Sequence, residues 1–242
     1  MLCDDPYVYK NSSVLKNKLG LTNADRLDQA EARHASIRAV FLRKKGLEIK
    51  SVFDIKEIHK TLFEELFDWA GEFRIITMYK KEPILNGFSV DYTPAGYIED
   101  EMQQLDKKFK SIPWDVLTDF EKVLFISDIT QELWQIHCFR EGNSRTTVLF
   151  MYFLLKQNGL NTNIKFLQEN SIYFRNALVL ASIGFRSKKE YLLGLIMDCV
   201  SCSEPETSKY KTINGIECEK YVAIPHTVEK LKTIKSLQDI GK

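Results

Sequence analysis

Residues 146–155 read TTVLFMYFLL. On a helix this stretch is apolar on nearly every face, and a helix without a polar face has to be surrounded. The rest of the chain must therefore supply helices to cover it, and the pattern does so. Apolar residues recur at helical spacing over about 14–46, 53–69, 95–110, 118–136, 172–182 and 187–201, beside the buried helix expected at 144–157. Asn23 stands where it can cap the first, with acidic residues early and arginines late. Gly71 stands where it can close the second. The fold class expected is all-α.

One interval breaks the period. Phe73–Tyr79 (FRIITMY) is β-branched and aromatic, and past Pro83 an Asn86-Gly87 pair precedes Phe88–Tyr92. Asn-Gly between short apolar runs predicts a β-hairpin, here over about 73–92. A lone hairpin has no core of its own, so the expectation is a surface flap lying against helices. From about Ser203 the pattern weakens. The expected organisation is one domain over 1–202 and a C-terminal tail or accessory helix over 203–242, with a possible short helix at 227–238. The tail lysines read as a solvated face.

Composition serves mainly to exclude. Lys plus Arg is 34 and Asp plus Glu is 33, a net charge of +1. That balance gives no electrostatic case for nucleic acid or an anionic membrane as the main partner. No run of eighteen apolar residues occurs, and the opening MLCDDPYVYK lacks the apolar core of a signal peptide. The five cysteines, Cys3, Cys138, Cys199, Cys202 and Cys218, are scattered, which reads as a reducing compartment rather than a disulfide framework. Cys199 and Cys202 form a CxxC without a second pair, which reads as two small residues on a helix face rather than a zinc site.

The chemistry is concentrated in residues 131–150, QELWQIHCFREGNSRTTVLF. A helix is expected to end near His137, a short loop to run from Cys138 to Asn143, and the buried helix to begin near Ser144. The first turn of a helix leaves N–H groups without intrahelical acceptors, and its macrodipole is positive there. Gly142 permits close backbone approach, so the loop can curl into an anion nest suited to phosphate. Arg145 adds a forked cation. Glu141 is a hard oxygen ligand for Mg2+, which binds through few carboxylates plus phosphate oxygens. His137 is the natural general base. Taken singly, Asn143 is as well explained as a helix cap, His137 as a structural histidine, and Glu141 with Arg145 as a surface ion pair. Six such residues within nine positions, directly before an apolar helix, are hard to explain by structure alone.

His137–Arg145, HCFREGNSR, resembles the Fic motif H-x-F-x-D/E-G-N-G/K-R-x-x-R. Leu15–Gly20 (LKNKLG) resembles the entry segment of bacterial Fic proteins, and Ile58–Arg74 (IHKTLFEELFDWAGEFR) the helix leading into their flap. The resemblance covers about residues 10–200 and implies a mainly helical Fic fold with a small β-hairpin flap. It implies a protein adenylyltransferase that moves AMP from ATP to a Ser, Thr or Tyr hydroxyl of a target protein. His137 would be the base and Glu141 would hold Mg2+. Gly142, Asn143, Ser144 and Arg145 would bind the phosphates, and Tyr173 and Asn176 the rest of the nucleotide. Phe139 would anchor the loop in the core. Lys80, Leu85, Gly87 and Phe88 of the flap would register the target by strand addition.

Two departures stand out. Ser144 replaces the motif's second glycine, and Val148 replaces its final arginine. They leave other Fic-type transfers open (phosphate, UMP, GMP or phosphocholine), as well as a catalytically weak relative that only binds its target. An inhibitory S/T-x-x-x-E-G/N helix is not found; Glu31-Ala32 and Glu169-Asn170 fail the pattern. A separate small antitoxin-type inhibitor protein is the expected partner for restraint, as in toxin–antitoxin pairs. The expected location is the bacterial cytoplasm, with delivery into another cell left open. His34, His59 and His226 receive no role; His59 reads as packing.

Overall fold

The computed structural model describes residues 5–201, 210–213 and 216–222, with side chains in the last two segments described only at Ile213 and Ile216. Its described residues form α1 (Ala24–Lys45), α2 (Ile55–Phe63), α3 (Ile98–Lys110), α4 (Asp119–Ile136), α5 (Asn143–Gln157), α6 (Ile164–Glu169), α7 (Ser171–Ala181) and α8 (Glu190–Ser201). Two antiparallel strands, β1 (Tyr210–Ile213) and β2 (Ile216–Val222), complete it. The protein is mostly helical, as expected. None of the described helices is long and apolar enough to cross a membrane.

The chain divides into two compact units. The first takes the chain up to Met78, Tyr92–Ile112 and Ile136–Gln157. At its centre is α5, where Thr146, Thr147, Leu149, Phe150, Met151, Phe153, Leu154 and Leu155 are buried, so the apolar stretch is enclosed as its composition requires. α2 packs against both α1 and α5, burying Ile55, Ile58, His59, Leu62 and Phe63. Asn23 caps α1 by accepting from the Arg26 N–H at 3.0 Å. The carboxamide of Gln157 closes the far end of α5, accepting from Ile49 N at 2.7 Å and donating to Ile49 O at 3.0 Å.

The second unit takes Tyr79–Asp91, Pro113–Gln135 and the chain from Asn158 onward. In it α7 packs against α6, α8 and both strands. The short α6 was not expected from the pattern; Asn163 caps it, accepting from Phe166 N at 3.0 Å. Cys199 is buried in α8, and its thiol lies 3.5 Å from Asn163 O. Cys202 and the helix expected at 227–238 lie outside the described residues.

Three expectations need correction. The segment over 73–92 forms no strand pair. Pro83–Leu85 fold into a single 3-10 turn, and Asn86 and Gly87 follow at φ 53° and 87° as its left-handed stop. The Asn-Gly pair therefore terminates a turn instead of centring a two-residue hairpin, and Pro83 has no N–H to give to a ladder. The loop is closed by one backbone residue, Glu82, which donates to Phe88 O and accepts from Gly87 N, both at 3.0 Å. The strands lie instead at 210–222, in the tail. Helix also fails to begin at residue 14. Residues 5–18 form an extended arm turned back at left-handed Asn11, with a bridge between Val8 and Leu15. The second helix stops at Phe63, not Gly71, and successive turns carry the chain to Glu72.

Gln157→Ala removes both bonds to buried Ile49 and is expected to cost about 2 kcal/mol. Urea unfolding should show a lower midpoint with an unchanged slope.

Candidate active site

The motif lies wholly in the first unit, between the end of α4 and the start of α5. His137 follows the last residue of α4 in the left-handed conformation, φ 51°, a costly state for a residue with a Cβ. Its ring is buried and lies 4.0 Å from the ring of Tyr92, centroid to centroid. The loop is then drawn tight from within. Asn143 Oδ1 accepts from Phe139 N at 2.9 Å, and Asn143 Nδ2 donates to Phe139 O at 2.7 Å. Gly142 sits at φ 79°, and its carbonyl receives Thr146 N and Thr146 Oγ, at 3.0 and 2.9 Å. A Cβ on Gly142 would come 2.4 Å from the Phe63 ring, so both backbone angle and space demand glycine.

Two buried groups hold this loop from below. Arg74, 2% exposed, donates from Nε to His137 O at 2.7 Å and from its terminal nitrogens to Ile76 O (2.6 Å), Thr93 O (2.5 Å) and Ile136 O (3.4 Å). Its own N–H donates to Cys138 O at 2.8 Å. A cation thus satisfies carbonyls that the end of α4 leaves without intrahelical donors. Burial lowers the Arg74 pKa, opposed by the fields of Cys138, Tyr7 and Tyr92.

The second group is His59, unexposed on α2. Its Nδ1 accepts from Gly71 N at 2.8 Å, which fixes the tautomer, so Nε2–H donates to Glu141 O at 3.0 Å. Its ring stacks on Phe139 at 3.8 Å. Burial drives its pKa down to about 3, partly offset by the bond to Glu141 O. Both Arg74 and His59 were missed as site residues. A basic residue inside an otherwise apolar stripe, as at positions 59 and 74, is the signal that could have marked them.

The acidic and cationic groups are placed around the first turn of α5. Glu141 Oε1 accepts from Gly142 N at 3.0 Å and lies 3.7 Å from the Arg145 guanidinium. Arg145 also pairs with Glu31 of α1 and lies 5.0 Å above the Phe63 ring. Glu31 is buried. Its pKa is raised by that burial, against the pull of Arg145 and with a further push from Glu141 and Asp28. Ser144 and Val148 are half-buried on α5, and Cys138 is fully enclosed, its thiol pushed up by burial to about 12. Among the described residues no group of three or more His, Cys, Asp or Glu gathers as a metal cluster.

His137, Glu141, Gly142, Asn143, Ser144 and Arg145 therefore share one loop and one helix start. Tyr173, Asn176, Lys80, Leu85, Gly87 and Phe88 belong to the second unit. There, Tyr173 is buried edge-on to Tyr191 at 6.4 Å, Phe88 is exposed, and Glu82 in the loop is held bidentately by Arg175 of α7 at 2.7 and 3.0 Å.

Fold and site together define a helical domain organised around one loop–helix junction that carries a buried histidine and a helix N-terminus. Residues 51–155 match the model of the Fic/DOC family. It is 26% identical over 204 residues to the protein adenylyltransferase VbhT of Bartonella schoenbuchensis, covering 81% of this chain and 41% of that protein. To the probable protein adenylyltransferase Fic of Escherichia coli it is 27% identical over 153 residues, 60% of this chain and 70% of that one. The first of these relatives is thus more than twice as long as the stretch it shares. The crystal structure of the BepC effector of Bartonella tribocorum with bound AMPPNP has the same fold, with a TM-score of 0.69 at 23% identity, covering 80% of this chain and 95% of that chain.

Gly142→Ala is expected to cost about 3 kcal/mol, combining the overlap with Phe63 and the left-handed backbone. Placed on a Phe63→Ala background, the same change should cost only the backbone share, about 1 kcal/mol, and denaturant titration of the four chains measures the difference. His59 gives a pH signature. Its folded pKa lies below the unfolded value of 6.5, so the stability it allows is complete above that value and is lost as pH falls toward about 3. At pH 5 the unfolded chain's extra proton should take away about 2 kcal/mol relative to pH 7. A His59→Gln chain should lack that increment when the two are compared by urea unfolding at both pH values.

Proposed function

We propose that this chain is a protein adenylyltransferase, moving AMP from ATP to a hydroxyl side chain of a target protein. The observation that carries this reading is that His137, Glu141 and the N-terminus of α5 are set on one loop, closed by the Asn143–Phe139 pair and pinned by Arg74 and His59. The relatives named as adenylyltransferases, and the AMPPNP bound to the BepC effector in its crystal structure, support the same reading.

In this reading the first-turn N–H groups of α5, at Ser144 and Arg145, face the phosphates, where the helix dipole favours negative charge. The Asn143 side chain is committed to Phe139, so its contribution is to shape the nest. Arg145 serves the phosphates from a guanidinium already oriented by Glu31. Glu141 suits Mg2+, since that ion takes few protein carboxylates and completes its shell with phosphate and water oxygens. Bound there, it would supply charge neutralisation for the triphosphate. His137 removes the proton of the target hydroxyl. The hydroxyl oxygen forms a bond to the α-phosphorus as the bond to pyrophosphate breaks, and pyrophosphate leaves with the electron pair. Orientation and fixed charge carry most of such a transfer.

On the same reading, residues 1–202 are the catalytic domain. The 79–91 loop, with Lys80, Leu85, Gly87 and Phe88, receives the target chain, and Tyr173 and Asn176 contribute to holding the nucleotide. A small inhibitory partner protein supplies the restraint. Ser144 and Val148 favour one further reading, a transfer from a reoriented donor, because both alter side chains on the first turns of α5.

The protein should be incubated with Mg2+, a bacterial lysate and ATP labelled at the α- or the γ-phosphate. The α-label should appear on protein, and His137→Ala should lower it at least about a hundredfold. Label from the γ-position alone would replace adenylyl transfer by phosphoryl transfer. Absence of label from both, with no ATP binding by calorimetry, would end the reading.

A further inference from the structure

We propose that the amino-terminal arm, residues 5–18, is a positioning element of the motif loop, and that Asp5 and Arg140 are its clasp. Arg140 occupies a motif position to which the sequence pattern assigns no role, yet its side chain is only 17% exposed. Its Nε and one terminal nitrogen both donate to Asp5 Oδ2, at 3.1 and 2.7 Å, while Asp5 Oδ1 accepts from Tyr7 N at 2.9 Å. The forked, charge-assisted contact fixes direction as well as distance.

The arm behind the clasp is itself held. Tyr7 is buried, its hydroxyl accepts from Ile75 N at 3.1 Å, and its ring meets Trp69 edge-on at 5.5 Å. Lys16 N donates to Tyr7 O at 2.7 Å, and Lys18 N donates to Leu66 O at 2.8 Å. The arm therefore runs from the turns after α2 to the motif. It grips the loop at the one residue between Phe139, stacked in the core, and Glu141, whose carboxylate stands beside Arg145. Arg74, His59 and Asn143 hold the loop through its backbone; the arm holds it through the side chain of Arg140. Fixing Arg140 limits rotation of the backbone segment that aims Glu141 and the Gly142 turn.

The consequence for nucleotide rests on the transfer reading, but the clasp does not. Asp5→Asn and Arg140→Gln are each expected to raise amide hydrogen exchange over residues 137–145 about fivefold, with exchange in α8 unchanged. The double variant should exchange no faster than either single one. Affinity for AMPPNP with Mg2+, by calorimetry, should fall about fivefold in both single variants and recover in Asp5→Glu. Unchanged exchange over 137–145 in both single variants, or additive effects in the double, would overturn the clasp. Altered exchange with unchanged AMPPNP affinity would overturn its positioning role. A wild-type chain that binds no nucleotide, yet shows the exchange pattern, would instead count against adenylyl transfer while the clasp stood.

Discussion

The site depends on a guanidinium that has no carboxylate partner among the described residues. Arg74 is buried among carbonyl oxygens belonging to three stretches of the first unit: the end of α4 and His137, the segment at Ile76, and Thr93 before α3. A buried cation with unfilled donors would be costly, so each of these carbonyls is held where it meets one. That requirement makes the left-handed turn at His137 tolerable. A non-glycine residue at φ 51° loses about 1 kcal/mol locally, and a charge-assisted bond of 2.7 Å to the same residue's carbonyl offsets it. His137 is therefore placed by backbone bonds made beneath it, with its ring against that of Tyr92.

His59 works in the opposite electrostatic sense. It is useful because it is neutral: one nitrogen must accept from Gly71 and the other donate to Glu141 O. Protonation would destroy the first bond and place a cation near Arg145. The depressed pKa is the energetic form of that constraint, with burial the larger cause and Arg145 a smaller one. Arg74 and His59 thus divide the task. A permanent cation holds the α4 side of the loop, where carbonyls converge, and a neutral ring holds the α5 side, where a further positive charge would be unwelcome.

Much of the helical plan could be read directly. The starts and ends of α3, α4, α5, α7 and α8 fall close to the periodic stretches, because burial of one apolar face decides them. The elements misread are those where a local signal competes with another. Asn86-Gly87 is a hairpin signal in isolation, but Pro83 three residues earlier starts a turn that uses the pair as its stop. Val14 and Leu15 look like the beginning of a helix, yet they face the core from an extended arm. In the site, the motif named its own residues, since their types are unusual together. It could not name Arg74, His59, Glu31 or Asp5, which stand 63, 82, 114 and 135 positions from the loop residues they contact. Periodicity carries no information about such pairings; only the packed fold does.

The charge arrangement at the start of α5 follows from the same packing. Arg145 lies between two acids, Glu31 and Glu141, and above an aromatic ring. Glu31 is buried, so its ionisation is tolerable only with the guanidinium beside it, and its raised pKa shows burial outweighing that help. A phosphate approaching the first turn of α5 would meet a cation already shared with carboxylates. Its attraction must then come in larger part from the helix N-terminus and from any divalent ion that Glu141 holds. The missing final arginine of the motif, Val148 here, weakens the cationic side further. A helix start so balanced would hold a highly charged anion best when a cation arrived with it. On the adenylyltransferase reading, this balance would couple nucleotide affinity to Mg2+ more tightly than a site with two unshared arginines would.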